Sequence, residues 1–228
     1  MPVKNQKPPS PLLIKVCGLT RSDQIHKLIS VDIQFLGFIF YEKSPRYVLN
    51  HLSPEEISQV GHRGKVGVFV NEHTDKIIEI SEKAGLNFIQ LHGDEDENFI
   101  SELRTRLNPE TGIIKAIRIG SHKTETDSLT KRLINYPISD IDYFLFDTDS
   151  EAFGGTGKTF DWQILNQIDI PVPYFLSGGI SEDHIDDFKN LHQLPFALDI
   201  NSRFETGPGI KNIKQIQEFK NAVQNDKP

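Results

Sequence analysis

Apolar and polar positions follow two alternating patterns along this chain. Short runs rich in Val, Ile, Leu and Phe predict buried strands, and between them apolar residues recur every three to four positions, as along one helix face. The predicted strands are Leu13–Cys17, Phe35–Phe40, Val66–Val70, Phe88–Leu91, Ile113–Ile119, Tyr143–Asp147, Tyr174–Ser177 and Phe196–Ile200. The predicted helices are Ser22–Ser30, Pro54–Val60, His73–Ala84, Asp96–Leu107, Thr126–Tyr136, Phe160–Gln167, Glu182–Leu191 and Lys211–Gln224. This alternation is typical of α/β proteins with a parallel sheet.

The number of strand–helix repeats predicts how the sheet closes. Eight βα units in 228 residues favour a single (β/α)8 TIM barrel over an open doubly wound sheet. No linker, low-complexity tract or internal repeat divides residues 12–228, which are predicted to form one catalytic domain. Residues 1–11 carry lysine and several prolines, without the apolar core of a signal peptide or the pattern of a transit peptide. We therefore expect a flexible leader there.

Polar residues lie at the carboxyl ends of several predicted strands, where barrel enzymes hold their active sites. Cys17 ends the first strand and Asp147 ends the sixth. Side chains alternate along a strand, and the pairs that share the inward parity are Lys15 and Cys17, Gln90 and His92, Leu145 and Asp147, and Ala197 and Asp199. Residues of opposite parity are apolar and are predicted to face the helices: Ile14, Val16, Ile89, Leu91, Phe144, Phe146, Leu198 and Ile200. The pattern predicts a polar mouth in which a thiol and a carboxylate act as base and acid.

Composition narrows the class of partner. A formal net charge of −7, with basic residues scattered through the chain, argues against nucleic acid as a partner. No apolar segment reaches the roughly 18 residues of a membrane span. Cys17 is the only cysteine and cannot form an internal disulfide, so a reducing cytoplasm is expected. No spacing of His, Cys and Asp indicates a metal site.

Three turns after late strands contain residues suited to anion binding. They are Gly154-Gly155-Thr156-Gly157, Ser177-Gly178-Gly179 and Asn201-Ser202. Glycine lets backbone amides approach an anion closely, and the loops after strands seven and eight are a frequent phosphate site in barrels. The alternative is that these glycines only make tight turns. The predicted phosphate-binding residues are Gly155, Gly157, Gly178, Gly179 and Ser202.

Several short blocks of sequence occur in a characteristic order. They are Lys15 to Thr20, Gly37 to Phe40, Ser44 to Val48, Val66 to Asn71, Gln90 to Asp94, Asp147, Gly154 to Trp162 and Leu176 to Ile180, followed by Asp199, Ser202, Glu205, Pro208, Gly209 and Lys211. In this order they resemble the phosphoribosylanthranilate isomerase family, from about Ile14 to the last helix. Arg203 and Asn212 depart from the pattern, which has glycine and aspartate there. A side chain at residue 203 restricts how the turn presents its amide, unless the guanidinium itself reaches the phosphate.

The resemblance implies an isomerase of tryptophan biosynthesis. Its reaction converts N-(5'-phosphoribosyl)anthranilate into 1-(2-carboxyphenylamino)-1-deoxyribulose 5-phosphate by an Amadori rearrangement, without metal or cofactor. The resemblance implies that Asp147 is the general acid at the ring oxygen and Cys17 the general base at C2′. It also implies that Arg46 binds the anthranilate carboxylate. The further substrate contacts that we expect are Gln90, His92 and Asp199. The partner is then a phosphorylated aminosugar, and the enzyme a monomer or a homodimer.

Each of these roles has a condition or an alternative. An unperturbed aspartate is ionised near neutral pH and must be kept protonated to act as an acid. A cysteine base must instead spend time as a thiolate, and an electropositive site or a helix start can lower its pKa. Cys17 could instead be an inert buried side chain, and Asp147 could cap a turn. Arg46 could be a solvated loop residue, His92 a structural histidine and Asp199 a tie across the barrel mouth.

Two other functions stay open from the sequence. Ala152 to Thr159 fit a relaxed P-loop pattern for nucleotides, but the strict pattern needs glycine at residue 152, and no acidic Mg²⁺ partner is evident. A barrel without catalytic activity could also bind a sugar phosphate as a sensor, since a fold does not determine a function. The presence of both Cys17 and Asp147 argues against the sensor.

Overall fold

The computed structural model describes residues 12–120, 126–148 and 160–225. Eight parallel strands form a closed barrel, in which each strand pairs with the next and β8 pairs with β1. The strands are β1 (Leu13–Val16), β2 (Phe35–Ile39), β3 (Lys65–Phe69), β4 (Phe88–Leu91), β5 (Gly112–Ile119), β6 (Tyr143–Thr148), β7 (Tyr174–Leu176) and β8 (Ala197–Ile200). This closure confirms the predicted TIM barrel. Every strand boundary also lies within one residue of its predicted position.

Helices connect the strands. The α-helices are α1 (Ser22–Ser30), α2 (Pro54–Ser58), α3 (Thr74–Ala84), α4 (Glu97–Arg106), α5 (Thr126–Asn135), α6 (Ile185–Lys189) and α7 (Ile213–Asn225). Short 3-10 helices cover Val48–Asn50, Trp162–Gln167, Glu182–His184 and Ser202–Phe204, and a hairpin of β9 (Glu205–Gly207) and β10 (Ile210–Lys211) precedes α7. Within the three described ranges, no helix is both long enough and apolar enough to cross a membrane.

The connection between β6 and β7 differs from the expected α-helix. The segment predicted as a helix over Phe160–Gln167 contains a 3-10 helix over Trp162–Gln167 instead. Pro171 and Pro173 follow within a few residues. Proline lacks the backbone donor that a helix requires, and it favours extended backbone in the residue before it, so helical backbone does not continue toward β7.

Side chains inside the barrel form an apolar cluster separate from the one that faces the helices. The inner cluster contains Phe35, Val66, Ile114, Ala116, Leu145, Phe175 and Ala197. The outer cluster includes Ile14, Val16, Ile89, Leu91, Phe144, Phe146, Leu198 and Ile200. The predicted alternation of inward and outward residues is thus confirmed for its apolar members. Because Leu145 and Ala197 lie two residues before Asp147 and Asp199, the inner cluster forms the floor beneath the polar mouth.

Candidate active site

Cys17 lies one residue beyond β1, at the mouth of the barrel. Its backbone N–H donates to the carbonyl of Ile200 at the end of β8 (2.9 Å), and only 5% of the residue is exposed. Gly37 on β2 packs against the thiol, since a Cβ atom at residue 37 would lie 2.9 Å from Sγ. Gly18 follows with a φ of +74°, a left-handed conformation that glycine adopts without steric cost. The chain therefore turns immediately after the thiol.

A buried ion pair lies one layer below the thiol. Lys15 Nζ and Asp199 Oδ2 are 2.9 Å apart, and the two residues are register partners on β1 and β8. Burial disfavours the charge on Lys15, but Asp199 and Cys17 outweigh it and raise the pKa of the lysine, which stays an ammonium. The second carboxylate oxygen, Asp199 Oδ1, is buried and has no hydrogen-bond partner among the described residues. This oxygen is therefore available to a ligand.

Burial raises the pKa of the Cys17 thiol, because a thiolate is costly to hold away from water. The ammonium groups of Lys15 and Lys211 act against this increase, while the carboxylate of Asp199 adds to it. An electropositive environment is thus present around Cys17, but burial has the larger effect on the pKa of the thiol.

Asp147 meets two polar residues from the end of β4, Gln90 on the strand and His92 one residue beyond it. Asp147 Oδ1 accepts a hydrogen bond from the Thr148 N–H (2.9 Å), and Oδ2 lies 3.2 Å from His92 Nε2, without the alignment of a hydrogen bond. The Gln90 amide nitrogen is 2.7 Å from His92 Nδ1. If that amide donates to Nδ1, the ring proton of a neutral His92 lies on Nε2, the nitrogen that faces Asp147. His92 therefore has a place beside the proposed acid.

Three buried polar atoms in this region lack a hydrogen-bond partner within the part of the chain that the structure describes: Gln90 Oε1, His92 Nε2 and Asp199 Oδ1. Asp199 lies close enough to Asp147 and His92 for their charges to act on it. A buried polar atom without a partner costs about 1–3 kcal/mol, so native proteins leave few of them. Their concentration at one end of the barrel indicates a site that a polar ligand completes.

Arg46, in the loop after β2, is buried, with 9% of the residue exposed. Its Nε and Nη2 atoms donate three hydrogen bonds of 2.7, 2.9 and 3.0 Å to the carboxylate of Glu205. The side chain packs on Gly18, where an added Cβ would lie 2.6 Å from Arg46 Cδ. The alternative of a solvated loop arginine is therefore wrong, and the aliphatic part of the side chain lies next to the residue that follows Cys17.

Glu205 also binds a second cation. Lys211 Nζ lies 2.5 Å from Glu205 Oε1 and donates to Asn201 Oδ1 at 2.8 Å. The Gly209 N–H donates to the same carboxylate at 3.1 Å. Burial opposes the charge on Glu205, but the hydrogen bond from Arg46 and the charge of Lys211 outweigh it and hold the pKa of Glu205 below its usual range. Glu205 therefore stays an anion and fixes the guanidinium.

The predicted phosphate loops are described only in part. Gly178 and Gly179 have φ values of +87° and +67°, and a Cβ at Gly178 would lie 2.4 Å from Thr148 Oγ1. Both positions therefore require glycine. Ser202 begins a 3-10 turn, and the next residue, Arg203, is exposed and has no left-handed backbone, so this turn accommodates a side chain. Gly155, Gly157 and the P-loop-like segment Ala152 to Thr159 lie outside the described residues.

Sequence reasoning assigned no role to three charged residues of this site: Lys15, Glu205 and Lys211. The inward parity of Lys15 was the only local signal, and the other two appeared only within the blocks that resemble a family. Lys15 pairs with a residue 184 positions away, and Glu205 with one 159 positions away. Contacts of this separation leave no pattern in a short window of sequence.

The fold and the site define a TIM-barrel enzyme whose mouth holds a thiol, a carboxylate and a buried arginine. The family model of N-(5'phosphoribosyl)anthranilate (PRA) isomerase matches residues 14–222. The N-(5'-phosphoribosyl)anthranilate isomerase of Parabacteroides distasonis is 36% identical over 211 residues, which are 91% of this chain and 91% of that protein. This chain belongs to the N-(5'-phosphoribosyl)anthranilate isomerase family.

Solved structures agree with this assignment. The phosphoribosyl anthranilate isomerase of Thermotoga maritima superimposes with a TM-score of 0.75 at 28% identity, covering 94% of this chain and 99% of that one. A phosphoribosyl anthranilate isomerase in complex with reduced 1-(o-carboxyphenylamino)-1-deoxyribulose 5-phosphate has a TM-score of 0.72 at 26% identity, with coverage of 94% and 99%. That ligand is a phosphorylated small molecule.

Proposed function

We propose that this protein converts N-(5'-phosphoribosyl)anthranilate into 1-(2-carboxyphenylamino)-1-deoxyribulose 5-phosphate, in tryptophan biosynthesis, by general acid and base catalysis. The observation that supports this most strongly is the position of Cys17 and Asp147 at one mouth of the barrel, in a chain of this family. The unpartnered atoms of Gln90, His92 and Asp199 nearby suit a substrate with several hydroxyl groups.

Asp147 acts first, as the general acid. Its carboxyl group gives a proton to the furanose ring oxygen while the C1′–O4′ bond breaks, and the nitrogen lone pair forms a Schiff base at C1′. The Thr148 N–H holds Oδ1 at 2.9 Å, which leaves Oδ2 as the oxygen beside His92. Oδ2 is therefore the oxygen left to carry the proton that Asp147 transfers.

Cys17 acts second, as the general base. Its thiolate removes the proton from C2′, and the C–H electron pair forms the C1′–C2′ double bond while the iminium nitrogen becomes neutral. The enolamine becomes the ketose when the C2′ hydroxyl loses its proton and C1′ gains one. These steps move only protons and one electron pair at a time, so the reaction needs neither a metal nor a redox cofactor.

Substrate binding uses the residues around this pair. Arg46, held by Glu205 through Nε and Nη2, has Nη1 left to donate to the anthranilate carboxylate. Asp199 Oδ1 accepts a hydrogen bond from a sugar hydroxyl. The phosphate binds to backbone amides of the late loops: Gly155, Gly157, Gly178, Gly179 and Ser202. The alternative of a sensor that binds a sugar phosphate would use the same contacts without turnover.

The proposal also covers the compartment, the partner and the oligomeric state of the enzyme. A free thiol base fits a reducing cytoplasm. The partner is the small phosphorylated aminosugar. Either a monomer or a homodimer is compatible with the described surface, on which the exposed large apolar side chains are Ile134, Leu194 and Ile210.

The test is an assay on the purified wild-type protein. Freshly made N-(5'-phosphoribosyl)anthranilate is added, and its consumption is followed by fluorescence. Binding of reduced 1-(o-carboxyphenylamino)-1-deoxyribulose 5-phosphate is measured in parallel by calorimetry. We expect turnover and binding. Binding without turnover in a folded protein would support the sensor, and the absence of both would reject this substrate.

A further inference from the structure

We propose that Lys15 is a positioning residue for the general base: its buried ammonium, held by Asp199, stabilises Cys17 as a thiolate. The inference rests on the proposed role of Cys17 and deepens it. Lys15 has no exposed surface. Because a buried charge is costly, a lysine in this position calls for a reason beyond packing.

Strand geometry places the ammonium beneath the thiol. Lys15 and Cys17 are two positions apart, so both side chains point into the barrel with Cα atoms about 6.6 Å apart. The Asp199 carboxylate on the neighbouring strand holds Lys15 Nζ at 2.9 Å. On the other side, β2 presents Gly37, which brings no charge. The thiol therefore meets the ammonium of its own strand within an enclosed space.

In the described ranges, the charges that act on Cys17 come from three elements. Lys15 lies on β1, Asp199 on β8 and Lys211 on β10, and Lys15 has the largest effect of the three. Lys211 is 2.5 Å from Glu205, whose carboxylate also binds Arg46. Burial raises the pKa of the thiol, so the strongest opposing charge decides how much thiolate is present. That charge belongs to Lys15.

The proton balance of the step is simple. Before the reaction the site holds a thiolate and an ammonium, and afterwards it holds a thiol and the same ammonium. The proton from C2′ goes to sulfur, and Lys15 keeps its own proton throughout because Asp199 and Cys17 raise its pKa. Lys15 therefore acts through Cys17 and does not exchange protons with the substrate.

The experiment is a titration of the thiol without substrate. Cys17 is the only cysteine of the chain, so the rate of alkylation by iodoacetamide against pH, followed by intact mass, reports this group alone. Cys17→Ala supplies the blank. We expect Lys15→Gln to move the alkylation midpoint upward by about one pH unit or more, and Lys15→Arg to keep it near that of the wild type.

Matched variants separate this effect from loss of stability, since breaking a buried pair can unfold a protein. Lys15→Gln with Asp199→Asn leaves a neutral pair, and its midpoint should move upward by less than that of Lys15→Gln alone. Lys115→Gln with Glu95→Gln removes another buried pair, 2.7 Å apart, that involves β5 instead of β1 and β8. This control should lower the melting temperature without moving the midpoint.

The outcomes distinguish this inference from the proposed function. An unchanged midpoint in folded Lys15→Gln, or an equal shift in the Lys115 control, overturns it. Where the protein is active, the acid limb of kcat against pH should move with the alkylation midpoint, and a limb that stays in place also overturns it. Midpoints that shift as expected in an inactive protein support the contact of Lys15 with Cys17 and reject the isomerase.

Discussion

Lys15 and Asp199 form an ion pair of 2.9 Å although 184 positions separate them in the chain. They are register partners on the first and the last strand of the barrel, which pair only because the sheet closes. The same closure brings the backbone of Cys17 against Ile200 and places the carboxylate of Asp199 under the mouth. The candidate site is therefore a product of barrel closure.

Cys17→Ala and Asp147→Asn should each reduce kcat by about 10²–10⁴-fold, because each removes one general acid or base. Both proteins should still bind reduced 1-(o-carboxyphenylamino)-1-deoxyribulose 5-phosphate. Steady-state kinetics and calorimetry on the two variants measure this. Turnover near that of the wild type would exclude the mutated residue from the mechanism.

Gly37→Ala should impair both stability and activity. The added Cβ would lie 2.9 Å from Cys17 Sγ and 2.9 Å from Cys17 Cα, and the hydrogen bond from the Cys17 N–H to Ile200 holds that backbone in place. Such overpacking costs about 1–3 kcal/mol. Thermal melting and the kcat of the variant test this.

Gly61→Ala is the matched control for that substitution, since a Cβ there would meet no atom within 4 Å. Its melting temperature and kcat should equal those of the wild type. Equal effects of the two substitutions would show that the close packing of Gly37 on the Cys17 thiol affects neither the melting temperature nor kcat.

Arg46→Lys should raise KM about tenfold or more with a smaller change in kcat. Lysine keeps the charge but loses the fork that bonds Glu205 and a substrate carboxylate together. Glu205 retains Lys211 at 2.5 Å, so the loop hairpin should stay folded. Arg63→Lys, at an exposed arginine, is the control and should change neither constant. An unchanged KM in Arg46→Lys would remove Arg46 from substrate binding.

Low pH should destabilise the folded protein by protonating Glu205. Burial alone would raise its pKa, but Arg46 and Lys211 lower it from the ordinary value of about 4.5. A group with a lowered folded pKa contributes stability above its unfolded pKa and loses it as the pH falls through the folded one. The melting temperature of the wild type should therefore decline as the pH falls below about 4.5.

Glu205→Gln tests the origin of that decline. The variant should be less stable than the wild type at neutral pH, because Arg46 and Lys211 lose their counter-ion, and its melting temperature should depend less on pH in the acid range. A decline as steep in Glu205→Gln as in the wild type would assign the acid sensitivity to other groups.

The sequence predicted the strands well because their signal is local. A buried parallel strand is a short apolar run between turn residues, and the observed boundaries lie within one residue of those expected. The 3-10 helix over Trp162–Gln167 was not expected, because the apolar spacing of so short a segment does not distinguish a 3-10 helix from an α-helix.

Within the site, the sequence by itself determined which residues lie at the mouth of the barrel. Cys17, Asp147 and Asp199 were placed there by their inward parity and their positions at the ends of strands. Only the tertiary structure decided their environment, namely the pairing of Lys15 with Asp199, the capture of Arg46 by Glu205 and the upward direction of the pKa of Cys17. The physical reason is that alternation along a strand depends on neighbours in sequence. Burial and charge depend on groups that closure of the barrel brings together from distant parts of the chain.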